Sequence, residues 1–406
     1  MTYIFIILLI FFVEVSLVLA VKFFRRDFQW LITEEDECPK LDESGLKKFF
    51  EHSYDAGLGW VKKPNTSGME SGRYGPIRFT IDPRGARSNN TTEGTKEIIA
   101  TFGDSYTFCR QVNDEETWQV YLGKKLDFKV LNYGVGNYGV DQALLRYEST
   151  NLPDSIKIVI LGFVPETICR VQSYWKHYLE FGNTFAFKPR FILRNGKLGI
   201  LPNVMQSRND FLRLREKLPL LQENDDFYRT KFRRFQFRTP YIISFFRNTK
   251  RNGKLLTRLL IRKYARKLNK VTSEIENAPF SLIMENNIKD SHGMYSKKES
   301  RELLKSILIR FRDIAYKKGH KPLVVVMPQL IDLKMMTAKG KSPYHDFFND
   351  LNSEMDVINL DKLFLDYNFR QLYSEDLYGG HFSKEGNEIV GNYLANRLKD
   401  VFSSQF

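Results

Sequence analysis

The chain has 406 residues, 42% of them hydrophobic and 27% charged, enough for one large domain or two ordinary ones with a packed core. Cys38, Cys109 and Cys169 are odd in number and fit no metal-ligand spacing, which excludes a disulfide scaffold and a zinc site. The net charge is +14, yet Phe227 to Lys270 alone holds fifteen Lys or Arg and no Asp or Glu, so the rest of the chain is close to neutral and the charge belongs to one segment.

Ile4 to Val21 is almost wholly apolar, with Glu14 its one ionisable residue. A bilayer crossing takes about 20 such residues. No Lys or Arg precedes the run and no small-x-small cleavage site follows it, as a signal peptide would require. Phe23, Phe24 and Trp30 lie instead among Lys22, Arg25 and Arg26, in the manner of an interfacial anchor. Residues 1–26 therefore read as a single-pass N-terminal anchor, and the positive-inside rule points the remainder toward the cytoplasm. Residues 27–96 read as an acidic linker containing Pro39, then a leader of short strands and loops. Its turns are marked by Gly57, Gly59, Pro64, Gly68, Gly72, Gly75 and Pro83.

From Glu97 the pattern alternates. Strands are predicted at 97–102, 128–132 and 156–161, with helices near 116–125 and 140–149. This order implies a parallel sheet with right-handed crossovers, and 97–171 forms the first half of an α/β core. Residues 172–298 interrupt the rhythm as a basic, mostly helical insert or cap. Residues 299–406 resume it with a helix at 299–318, strands at 322–327 and 356–360, and a final helix at 383–401. The basic segment 227–270 is suited to an anionic membrane surface, to an anionic glycan, or simply to solvent; no motif supports nucleic acid.

Three blocks fall where strands end. The first is Gly103-Asp104-Ser105, a tight turn that presents a hydroxyl at a strand's carboxyl end, where open α/β sheets place ligands. The second runs from Asn132 to Gly139. Its Gly134-x-Gly136-x-x-Gly139 matches a dinucleotide fingerprint, but it follows the second strand of the unit and has no second nucleotide-binding half. The same glycines serve equally as a turn whose N–H groups face Ser105 and bind an oxyanion. The third runs from Asp376 to Asn387 and places His381 just before the last helix, where the dipole favours a neutral imidazole. His381 is a candidate base for Ser105, and Asp376 a candidate partner for its Nδ1–H.

These three blocks resemble those of the SGNH/GDSL hydrolase superfamily over roughly residues 76–171 and 299–400. Phe79 to Arg87 also resembles the leader of many bacterial members. The resemblance implies a flavodoxin-like three-layer α/β/α fold. Ser105 would be nucleophile and oxyanion donor, Asn137 or the adjacent Gly136 a second donor, and His381 the base. It implies no metal and no cofactor. Two departures stand out. The block after the third strand, Gly162 to Arg170, lacks the family's Asn, leaving Thr167 as the candidate substitute. The family acid precedes the histidine by three residues, where this chain has Tyr378. Asp376 lies five before, Glu375 is the fallback, and a Ser–His dyad is the remaining arrangement. The activity implied is ester hydrolysis through an acyl-Ser105 intermediate, on an acylated carbohydrate or another ester. A polysaccharide O-acetyltransferase or a catalytically weak scaffold are the alternatives. For localisation the family resemblance points outside the cytoplasm, against the positive-inside vote.

Overall fold

The computed structural model describes residues 2–25, 31–72, 75–89, 96–374 and 378–403. In chain order the elements used below are α1 (Thr2–Arg25), β1 (Glu97–Gly103), α2 (Ser105–Phe108), α3 (Trp118–Leu126), β2 (Lys129–Asn132), α4 (Val140–Ser149) and β3 (Ile158–Phe163). They continue with α5 (Tyr241–Arg247), α6 (Thr249–Lys267), α7 (Lys298–Lys317), β4 (Lys321–Val326), α8 (Leu330–Lys339), β5 (Val357–Asn359) and α9 (Lys384–Ser403). The chain divides into two compact units. One comprises Lys48–Gln172, Lys188–Asn203 and Glu285–Phe406; the other comprises Met1–Lys47, Ser173–Phe187 and Val204–Met284.

The first unit is built on a five-stranded sheet in the order β5-β4-β3-β1-β2, every pair parallel. Its strands are short β-branched runs buried on both faces, as a parallel sheet requires. On one face Trp118 and Leu122 of α3 join Val390, Leu394 and Leu398 of α9 over Ile158, Ile160, Leu323 and Val325. On the other, Phe102 stacks on Tyr133 at 5.1 Å and meets Tyr147 of α4, which packs on Phe311 of α7. The three-layer α/β/α architecture expected from the sequence is thus present. The third strand starts two residues later than the sequence pattern suggests. Ile156 is still held in a turn by the Pro153 carbonyl (3.0 Å), and the ladder begins only when Lys157 N–H reaches Ile98 O (2.8 Å).

The chain steps outward from β1 to β2, then back across to β3 on β1's other side. That reversal opens a crevice at the strands' carboxyl ends. Gly103 and Gly162 are paired there. A Cβ on either would come within 2.2 Å of the Thr107 hydroxyl, so the glycine pair lets α2 seat directly on the sheet end. The leader contributes two small hairpins, Tyr54–Asp55 with Gly59–Trp60 and Ser67–Gly72 with Gly75–Thr80. The hairpin formed by Arg190–Arg194 and Lys197–Leu201 also belongs to this unit, although its sequence lies inside the stretch that breaks the α/β rhythm.

The second unit holds α1, α5 and α6. Asp225 gathers the N–H groups of Tyr174 (2.6 Å) and Trp175 (2.8 Å), and Trp175 stacks on Phe187 at 4.8 Å. Arg25, at the end of α1, pairs with Asp36 at 2.9 Å. α1 is long and apolar enough to cross a bilayer, a property that signal sequences share.

Candidate active site

Ser105 opens α2. Asp104 caps that helix, its carboxylate accepting Tyr106 N–H at 2.8 Å. Burial pushes the Asp104 carboxyl up to about 6, against the opposing pull of Arg170. Ser105 Oγ lies 2.8 Å from His381 Nε2. The two residues are 276 positions apart in sequence and meet because β1 and the last loop both end at the same sheet edge.

His381 is held from several sides. Its backbone N–H donates to Ser374 Oγ (3.0 Å), and its carbonyl accepts Ser374 N–H (2.7 Å). Tyr106 O–H donates to the Gly380 carbonyl at 2.7 Å, so the residue after Ser105 also fixes the loop that carries His381. Gly379 and Gly380 both take positive φ, 103° and 58°, and a Cβ at Gly379 would come 2.5 Å from that of Leu330. The turn requires glycine at 379, and its left-handed backbone at 380 favours glycine there too.

Among the described residues, the atom facing His381 Nδ1 is Gln111 Oε1, at 2.9 Å. The same oxygen accepts Ser374 O–H at 2.5 Å. An amide oxygen accepts only, so Nδ1 carries the proton and the Nε2 lone pair faces the Ser105 hydroxyl, which is the base-competent tautomer. Asp376 and its fallback Glu375 lie outside the described residues. Burial, with Arg110 and Arg170 nearby, pulls the imidazolium down to about 3, so the ring is neutral throughout the ordinary pH range.

Gln111 carries no sequence signal. It sits three residues past α2, in a loop where Cys109 and Gln111 both adopt left-handed backbone, φ 60° and 72°. The loop holds that shape around Arg87 of the leader. The buried guanidinium donates to the carbonyls of Phe108 (2.7 Å), Cys109 (2.7 Å) and Val112 (2.6 Å) and to Asp114 (2.7 Å). A leader residue thereby shapes the loop whose Gln111 faces His381.

The second block packs tightly against α2. A Cβ at Gly134 would fall 2.2 Å from Phe108 N, and Val135 N–H donates to Gly103 O at 3.0 Å. Gly136 and Asn137 form the partly exposed tip of the turn, Asn137 with φ 69°, and space is open around Gly136. Trp60 Nε1–H holds the Gly136 carbonyl at 3.0 Å, and Arg170 donates to the Tyr138 carbonyl at 3.0 Å. Gly139 sits where its Cβ would meet the Asp141 carboxylate at 2.4 Å.

Thr167 requires a correction. It is buried, and its hydroxyl donates to the Val164 carbonyl at 2.8 Å. A hydroxyl has one hydrogen to give, so Thr167 offers no donor to an oxyanion in this arrangement. Among the polar side chains that this loop turns toward its neighbours is Glu166, which accepts Gln329 Nε2–H at 3.2 Å and lies 3.6 Å from Arg170. Of the other histidines, His292 is buried 2.6 Å from Asp332, His320 meets Tyr147 O–H at 2.8 Å, and His177 lies against the Asp36 carbonyl at 2.9 Å in the other unit.

No family model and no curated protein matches the sequence. Among solved structures, the chain is similar to a lipolytic protein of the G-D-S-L family from Desulfitobacterium hafniense. The two share 11% identity over 73% of this chain and 97% of that one, with a TM-score of 0.32. It is also similar to a lipase/acylhydrolase from Enterococcus faecalis, at 13% identity over 75% of this chain and 96% of that one, again with a TM-score of 0.32.

Proposed function

We propose that the chain is a serine ester hydrolase that works through an acyl-Ser105 intermediate. One observation carries this reading: Ser105 Oγ stands 2.8 Å from a His381 whose other nitrogen is held in the base-competent tautomer. His381 Nε2 takes the Ser105 proton as Oγ bonds to the acyl carbon. The tetrahedral oxyanion is received by N–H groups of Ser105 and of Gly136 or Asn137. The ester C–O bond then breaks, and His381 returns the proton to the departing alkoxide. Water, activated by the same imidazole, releases the acid and restores Ser105.

Gln111 fixes geometry but brings no charge. An amide does not neutralise an imidazolium as a carboxylate does, and Arg110 and Arg170 oppose that charge as well. A serine whose histidine is supported by Gln111 alone is slower than one backed by a full triad. The motif resemblance directs the activity toward acylated glycans. The same acyl-enzyme serves an O-acetyltransferase when a sugar hydroxyl replaces water as acceptor.

The test is labelling with a fluorophosphonate probe alongside hydrolysis of p-nitrophenyl acetate. Wild type labels and turns over; Ser105→Ala does neither, with a loss on the order of 10⁴-fold or more. Folded wild-type protein that neither labels nor hydrolyses overturns the proposal. A reporter fused after Phe406 reads the side of the membrane on which the site lies.

A further inference from the structure

The second unit turns apolar side chains outward. Tyr3 to Phe12 of α1 are exposed all round, each by 46–84%. Ten helical residues at about 1.5 Å per residue extend about 15 Å. That is half of a hydrocarbon core of about 30 Å. From Glu14 onward one face of α1 is covered, while Val15, Leu19 and Phe23 stay exposed. The Glu14 carboxylate accepts the N–H groups of Tyr241 (2.5 Å) and Ile242 (2.9 Å), at the start of α5. Leu17, Val21 and Phe24 line one apolar groove with Phe245, Leu255 and Leu259 of α5 and α6. The Lys263 ammonium sits 3.8 Å over the Phe23 ring. A leader destined for removal needs none of these contacts.

If α1 crosses a bilayer, α5 and α6 enter the same leaflet with it. Their outer faces suit that position. Ile243 and Phe246 of α5 are 52% and 66% exposed. Leu260, Ile261 and Tyr264 form a ridge along α6, continued by Leu268 just past its end, each exposed by 46–66%. Lys250, Lys254, Lys267 and Lys270 flank that ridge and are exposed. The nineteen residues of α6 hold eight Lys or Arg and no acid. Glu14, the one carboxyl group in an otherwise apolar run, is met by backbone N–H groups at a helix start, which satisfies its oxygens locally.

We infer that α5 and α6 form an interfacial platform on an anionic lipid bilayer. Leu260, Ile261 and Tyr264 enter the acyl boundary, and the flanking lysines meet lipid phosphates. A soluble polyanion would use the lysines and leave the apolar ridge in water; a lipid surface uses both. Each lysine contributes roughly fivefold to partitioning at such a surface.

The test uses the full chain carrying Cys38→Ser and Ile261→Cys, labelled with an environment-sensitive dye. It is reconstituted in vesicles of phosphatidylcholine alone or mixed with phosphatidylglycerol. Thermal unfolding checks that the labelled protein is intact. The expected result is a blue-shifted emission in the mixed vesicles, quenched by spin-labelled lipid. Replacing Lys250, Lys254, Lys267 and Lys270 with Glu returns the emission toward its value in water. A dye at Glu216→Cys, on an exposed helix, stays aqueous throughout. Aqueous emission at position 261 in both vesicle types overturns the inference. Shielding that rises with the protein-to-lipid ratio also overturns it, because it marks contact between copies of the chain. Neither result depends on whether Ser105 is catalytic.

Discussion

The two units treat the same side chains in opposite ways. In the sheet unit Leu304 of α7 is fully buried, while in the other unit Leu260 of α6 is 47% exposed. Both helices are amphipathic and both carry apolar residues at three- and four-residue spacing. In α7 the apolar face lies on the sheet, and water excluded from it stabilises the fold. In α6 one apolar face lies on α1, and a second, flanked by lysines, is left outside. Charge follows the same division. Arg87 in the sheet unit is enclosed by four acceptors, whereas Lys254 in the other stands in solvent. An apolar or basic residue therefore acquires its meaning from the surface opposite it.

The largest effect expected in the sheet unit after removal of Ser105 itself comes from the support of the base. Gln111→Ala leaves His381 Nδ1 without its partner and lowers kcat/KM by about 10²-fold or more. Gln111→Glu supplies the charge that the amide lacks, so it raises kcat/KM and moves the acid limb of the pH profile upward. A small loss in Gln111→Ala beside a large one in Asp376→Ala would transfer the supporting role to Asp376. Both are read from steady-state kinetics on a chromogenic ester.

The comparison of charges comes next. Arg87→Met takes the guanidinium from three carbonyls and from Asp114, which keeps its bonds from Thr80, and costs about 3–5 kcal/mol in chemical denaturation. Lys254→Met changes stability by less than about 0.5 kcal/mol. The comparison of leucines follows the same form. Leu304→Ala costs about 2–5 kcal/mol and Leu260→Ala less than about 0.5 kcal/mol. Equal costs for the two leucines would break the distinction between the units.

The smallest effect is a displacement along the pH axis. His381 must be neutral to accept a proton, and its surroundings hold the imidazolium down to about 3. The kcat/KM plateau accordingly extends well below pH 6.5 before the acid limb descends. A limb centred on the ordinary histidine value, about 6.5, would mean that the ring is better solvated than its neighbours indicate.

Much of the sheet unit was legible because its signals are local. The run from Val140 to Ser149 reads as one helix and folds as one, and Glu97 to Phe102 reads as a buried strand that the structure extends by Gly103. Gly103-Asp104-Ser105 and His381 stood out because a hydroxyl after a strand and an imidazole before a helix are chemical signatures at fixed positions. Gln111 was not legible. Its place depends on two left-handed residues and on an arginine more than twenty positions upstream, and none of these forms a pattern. Thr167 was misread for a related reason. The residue type suited a donor, but the turn after β3 brings the Val164 carbonyl within its reach, and a local acceptor takes the hydrogen.

Sequence alone determined the alternation of strands and helices, the apolar run of α1, the basic tract and the choice of Ser105 and His381 as candidates. Each is written within a few neighbouring residues, through periodicity, turn chemistry or charge. Tertiary structure decided which atoms meet. It placed Ser105 against a histidine 276 positions away, put an amide at Nδ1, and gathered residues 1–47 with 173–187 and 204–284 in one unit. These pairings depend on the sheet order and on loop shape, which arise from the packing of distant segments and leave no mark within any one of them.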